Sequence, residues 1–155
     1  MFSQNKKKMA IFFGVAIFFV VLDRFLKSLA LKLSGGELEI LSNWLRFTFV
    51  KNYNIALSLP LHRTLIMFLA VILTMLVVYY FLLFLKKEEV ISAFCMLLIV
   101  LGAISNLVDR ILYGFVIDYF DIKFFSVLNF ADVMISTGVL IFAIYSFWKN
   151  ARKPL

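Results

Sequence analysis

The chain has one cysteine, one histidine and two prolines in 155 residues, and the first two scarcities each remove a class of chemistry. Cys95 has no partner for an intramolecular disulfide. It sits inside an apolar run, where a thiol packs as a small hydrophobe rather than ionising to a nucleophile. His62 stands alone beside Arg63 and near Pro60. A lone histidine at this position supports neither Ser-His catalysis nor a zinc centre, and no H-E-x-x-H helix is present. Acidic residues are scarce too, nine against 16 Lys and Arg, for a net charge of +7. In a soluble protein that excess would raise nucleic-acid binding, but the sequence offers no stacking platform or basic groove, so none is expected. There is no internal repeat, no low-complexity tract and no glycine run of the kind that cradles phosphate.

Apolar residues make up 64% of the chain, with 19 Phe, and they are gathered into four segments. These are residues 9–32, 64–85, 90–108 and 131–148, each able to cross a hydrocarbon core of ~30 Å at ~1.5 Å per helical residue. The first begins after Lys6, Lys7 and Lys8 and carries Ser28-Leu29-Ala30, so a cleaved signal peptide is the competing reading. Asp23 and Lys27 share a helix face and apolar residues follow them, which favours a retained helix. Eight Lys/Arg fall within the 19 residues of 1–8, 86–89 and 149–155, and eight more within the 63 residues of 23–63 and 109–130. That density difference places both termini on the cytoplasmic side. Between the first two helices, residues 36–59 alternate in places and are rich in β-formers, which predicts a small extracytoplasmic sheet. Residues 111–130 read as an interfacial segment anchored by Tyr113, Tyr119 and Phe120. The expected fold is therefore an all-α membrane protein of four transmembrane helices, with a small outer β-sheet region between helices 1 and 2, forming one integral-membrane domain over 1–155.

With this threading, all five aspartates (Asp23, Asp109, Asp118, Asp121 and Asp132) fall on the outer side. Asn106 and Asn129 lie with them, at helix ends or in the connecting loop. Carboxylates near hydrocarbon are costly and usually functional. The plainer reading makes them interfacial residues and caps, with Asp109-Arg110 a local ion pair. Two chemistries suit the set. Two aspartates can share a proton, one activating water while the other donates. Alternatively, three or four carboxylates can hold Mg²⁺ for phosphoryl or phosphoalcohol transfer, with Asp118-x-x-Asp121 as part of the ligand set. A proton-coupled carrier or structural bundle would string ionisable residues through the membrane depth, which here is almost free of them.

The motifs resemble those of the lipoprotein signal peptidase (signal peptidase II) family of bacterial membrane aspartic proteases. Asp23-Arg24-Phe25-Leu26-Lys27 is similar to its D-x-x-x-K, and Asn52-Tyr53-Asn54-Ile55-Ala56-Leu57-Ser58 to N-x-G-x-A-F-S. The stretch from Gly102 to Arg110 is similar to G-A-x-G-N-x-x-D-R, Val116-Ile117-Asp118-Tyr119 to V-V-D-[FY], and Asn129-Phe130-Ala131-Asp132 to N-x-A-D. The resemblance implies Asp118 and Asp132 as the catalytic pair, titrating as one coupled unit. It implies supporting roles for Asn106, Asp109, Arg110 and Asn129, and structural or substrate-contacting roles for Asn52, Asp23 and Lys27. The implied substrate is a prolipoprotein with a diacylglyceryl-modified cysteine, cut on the amino side of that cysteine, by a monomer among membrane lipids with no metal or other cofactor. Three positions depart from the pattern: Asn54 and Ser105 stand where Gly is usual, and Val133 where a small polar residue is common.

Overall fold

The structure, a computed structural model, describes residues 2–33, 36–42, 44–53 and 63–152. The expectations attached to Asn54–Ser58 and to His62 lie outside them. Four helices form in the order the apolar runs predict: α1 (Phe2–Lys32), α2 (Arg63–Lys86), α3 (Val90–Leu112) and α4 (Phe130–Ala151). All four are long and apolar enough to cross a membrane. The fold is that of a multi-pass membrane protein, with α1 beginning before its apolar stretch and α3 running one turn past residue 108.

Helix α3 is the hub and packs against each of the other three. The reason is visible at two glycines on its contact with α4. A Cβ on Gly102 would stand 2.6 Å from the Ala131 carbonyl oxygen, and one on Gly138 would stand 2.7 Å from that of Cys95. In lipid the helices gain little from apolar burial, so close backbone approach at small residues is what holds them. The other helices keep most of their large apolar side chains outward, as Phe18, Phe68 and Phe147 do.

At one end of the helices lies a four-stranded antiparallel sheet in the order β1 (Leu38–Leu41), β2 (Leu45–Asn52), β3 (Val116–Ile122), β4 (Val127–Leu128). Two of its strands come from 36–59, as expected. The other two come from 111–130, where the sequence reading has an interfacial segment without assigned strands. Val116–Ile122 is apolar on both faces and pairs with β2, Val50 opposite Asp118 and Arg46 opposite Asp121. Its Tyr119 is not a wet anchor but fully buried, packing with Phe47, Ile117 and Ala30 over the outer end of α1. The chain enters β3 through Gly114, whose φ of 82° a side chain would oppose. Between β4 and α4 there is room only for Asn129, so the sheet sits directly on the rim of the helices.

Candidate active site

Asp132 is placed by the start of α4. Asn129 is the N-cap, its Oδ1 accepting from the Asp132 N–H at 2.9 Å while an Asp132 carboxylate oxygen accepts from the Asn129 N–H at 3.4 Å. This reciprocal box satisfies two of the backbone donors that a helix start leaves open. The same Asn129 gives its Nδ2–H to Asp118 Oδ1 at 2.6 Å. One buried carboxamide thus joins the two aspartates that the resemblance singles out, from β3 and from α4.

Two further amides complete the setting. Asn52 on β2 donates to Asp118 Oδ2 at 2.8 Å, across the β2–β3 pairing. Asn106 on α3 donates to Asp132 Oδ1 at 2.8 Å. Asn106 is one turn beyond Gly102, on the same helix face, so the close approach at Gly102 is what brings it within reach. The guanidinium of Arg110 interacts with the charges of Asp132, Asp118 and Asp109. The pair therefore receives hydrogen bonds from three neutral carboxamides, with the charge of Arg110 beside them.

Burial, and then the like charge of Asp132, push the Asp118 carboxyl up to about 6, against the donations from Asn52 and Asn129 and the charge of Lys27. A carboxyl so placed holds its proton close to neutral pH, and two interacting carboxyls do not both ionise readily.

Behind this pair lies a second buried cluster. Asp23, Lys27 and Asp109 are all fully buried. Lys27 Nζ bridges Asp109 Oδ2 at 2.8 Å and Asp23 Oδ2 at 3.0 Å, and Arg24 closes on the other oxygen of Asp109. Asp109 is thus paired with α1 as well as interacting with the charge of Arg110. Asp23 also accepts from Ser105 Oγ at 2.6 Å, the Tyr119 hydroxyl at 3.0 Å and the Ala131 N–H at 3.1 Å. Here Ser105, in place of glycine, supplies a hydroxyl that the cluster uses. Tyr119 and Arg24 were missed as site residues. Tyr119 ties β3 to α4 as well, accepting from the Phe130 N–H at 2.9 Å. Its signal was the run of β-formers around it, Val116, Ile117, Phe120 and Ile122.

Asp121 is separate. It pairs with Arg46 across the strands, beside Glu37, at the surface of the sheet. The expected Asp118-x-x-Asp121 ligand set for Mg²⁺ is therefore divided, and among the described residues no three His, Cys, Asp or Glu side chains converge as metal ligands would.

The comparisons with known proteins agree on one group. The sequence model described as "Signal peptidase (SPase) II" matches residues 15–148. A lipoprotein signal peptidase of Clostridium novyi is 31% identical over 138 residues, spanning 84% of this chain and 93% of that one. One from Caldicellulosiruptor bescii is 35% identical, covering 78% and 80%, and one from Streptomyces coelicolor is 33% identical, covering 94% and 74%. Two solved structures described as a bacterial membrane enzyme share the fold. One has a TM-score of 0.82 at 23% identity, covering 94% of this chain and 92% of that one. The other has a TM-score of 0.75 at 24% identity, covering 88% and 92%.

Proposed function

The chain belongs to the signal peptidase II family, and from that premise we propose that it is an aspartic endopeptidase acting on diacylglyceryl-modified prolipoproteins. It removes their signal peptide by cleaving on the amino side of the lipidated cysteine. The observation that carries the aspartic reading is the junction of Asp118 and Asp132 through Asn129, with the amides of Asn52 and Asn106 donating to the same pair.

The chemistry follows from one proton shared by two carboxyls. The ionised member takes a proton from water as its oxygen attacks the scissile carbonyl carbon. The protonated member gives its hydrogen to the carbonyl oxygen, so the tetrahedral species forms without a free oxyanion. Collapse breaks the C–N bond: the proton taken from water passes to the leaving amine of the modified cysteine, and a hydroxyl on the tetrahedral carbon returns its proton to the carboxylate that had donated one. Arg110 and the amide donors hold charge and geometry through these steps. A substrate anchored by an apolar helix and by acyl chains presents its scissile bond at the membrane surface, which supplies much of the orientation.

The topology reading has support from an ion pair at the opposite end, where Lys149 on α4 meets Glu89 of the α2–α3 turn at 2.9 Å. That end also carries Lys6–Lys8, Lys86 and Lys87, so the termini are cytoplasmic and the aspartates extracytoplasmic. The proposed working unit is a monomer embedded in lipid. The test is cleavage of a diacylglyceryl-modified precursor in detergent with EDTA, comparing wild type with Asp118→Asn and Asp132→Asn. Cleavage by wild type alone is expected. Activity that returns only with Mg²⁺, or cleavage by both variants, would overturn the reading.

A further inference from the structure

A carboxamide can offer a neighbour either its oxygen or its NH₂, and beside a carboxyl pair that choice matters. Asn106 lies between two buried groups of opposite kind. On one side Lys27 Nζ is 2.9 Å from its Oδ1, and on the other its Nδ2 is 2.8 Å from Asp132 Oδ1. An ammonium has donors only and no acceptor, so it accepts the oxygen face of the amide and repels the NH₂ face. The reversed amide would set N–H against N–H and oxygen against carboxylate. Lys27 is itself held in place, by Asp109 Oδ2 at 2.8 Å and Asp23 Oδ2 at 3.0 Å, with no exposed surface.

We propose that Lys27 is a positioning residue: its ammonium locks the Asn106 carboxamide so that Nδ2–H is always given to Asp132 Oδ1. That oxygen is then always met by a donor, and the Asp132 carboxyl is held in one orientation beside Asp118. This rests on the reading of Asp118 and Asp132 as the reacting pair. It gives Lys27 a role without substrate contact, which its full burial requires. Asn129 is locked in the same sense by a backbone group, the Asp132 N–H on its Oδ1. For Asn106 the lysine supplies the donor to Oδ1.

The experiment is a double-mutant cycle on precursor cleavage, with kcat and KM measured for Lys27→Met, Asn106→Ala and the double variant, and unfolding followed in detergent for each. Lys27→Met is expected to lower kcat by roughly 10–100-fold, the usual scale for a supporting partner, with KM nearly unchanged. In the Asn106→Ala background the same substitution should cost less than about 3-fold, because its target is gone. Lys27→Gln, whose amide can still donate to Asn106, should recover part of kcat. If the two effects simply multiply, Lys27 acts on stability or elsewhere and the proposal falls. Should Lys27→Met not fold, the cycle is run with Lys27→Gln, where an equal cost with and without Asn106 overturns it. Full turnover by Asp118→Asn would strike the underlying peptidase reading. Multiplying effects with an inert Asp118→Asn strike only the role of Lys27.

Discussion

Four aspartates are buried or nearly so at the rim where the sheet meets the helices, and they fall into two pairs that differ in what faces them. Asp23 and Asp109 meet the cations Lys27 and Arg24 at hydrogen-bond range. Asp118 and Asp132 meet the amides of Asn52, Asn106 and Asn129. An ion pair fixes a carboxylate in its charged form, and breaking a buried one by removing a partner costs about 3–5 kcal/mol. An amide donor holds a carboxyl in place while leaving its proton exchangeable. The difference separates a cluster that builds the rim from one that can pass a proton, although the residue type is the same.

The sharpest way to break this contrast is to neutralise each pair in turn. Asp118→Asn or Asp132→Asn should reduce cleavage by roughly 10³-fold or more, the scale of losing an acid–base group, while the protein still folds. Asp109→Asn should instead show first in the yield and thermal midpoint of the detergent-purified protein, because it strands part of the charge of buried Lys27. The pH dependence of stability adds a second reading. Asp118 keeps its proton to about 6 in the folded chain, against ~3.9 when unfolded. Its protonated form therefore contributes stability that is complete below ~4 and lost as pH rises through about 6. Asp118→Asn should flatten that part of the profile of midpoint against pH. An unchanged slope would mean that Asp118 does not carry it.

A smaller effect is expected from the packing that brings the amides to the pair. In Gly102→Ala the new methyl meets the Ala131 carbonyl oxygen and Ile135 Cγ1 at under 3 Å, so α3 and α4 must separate. Overpacking of this kind costs about 1–3 kcal/mol. Because Asn106 and Asp132 lie on either side of that contact, kcat should fall by about 10–100-fold, as small misplacements at a reacting centre do. Wild-type turnover in this variant would show that the close approach is not what sets the Asn106–Asp132 distance.

The legible part of this molecule was what one stretch of chain decides by itself. Continuous apolar runs gave four helices, and the spacing of Asn129 and Asp132 is a capping pattern whose two ends are three residues apart. What the sequence hid was partnership at a distance. The strand Val116–Ile122 pairs with residues some 70 positions earlier, and its apolar character suits a membrane interface as well as a buried strand. Asp109 has Arg110 beside it in sequence, yet on a helix adjacent side chains diverge, and the bonded cations are on α1. Tyr119 was read from its interfacial habit, while its hydroxyl is taken up by Asp23 and Phe130. The candidate residues are neighbours at one rim. Their division into an ionic pair and an amide-held pair required the structure.

Within the amide-held pair, Asn52→Ala should act on the proton more than on the fold. Its Nδ2–H at 2.8 Å favours the ionised form of Asp118. Its loss favours the protonated form, so Asp118 should rise further above 6. The alkaline limb of kcat, where the pair loses its shared proton, should move to higher pH by up to about one unit, equivalent to ~1.4 kcal/mol. Activity at the new optimum should fall by about 10-fold. A limb that moves to lower pH would mean that Asn52 stabilises the protonated form instead.

The smallest effect belongs to the fifth aspartate, and it tests whether position rather than residue type decides. Asp121 is paired with a cation, as Asp23 and Asp109 are, but the Arg46 partner is exposed at the surface of the sheet. Solvent screens such a pair, and the strands are held by their backbone bonds regardless. Asp121→Asn should leave kcat and KM within about 2-fold of wild type and barely move the thermal midpoint. Raised salt should weaken what little the pair contributes, since exposed charges are screened over ~10 Å at 0.1 M. A loss of activity comparable to that of Asp118→Asn would place the outer edge of the sheet, rather than the rim at Asn129, at the centre of the chemistry.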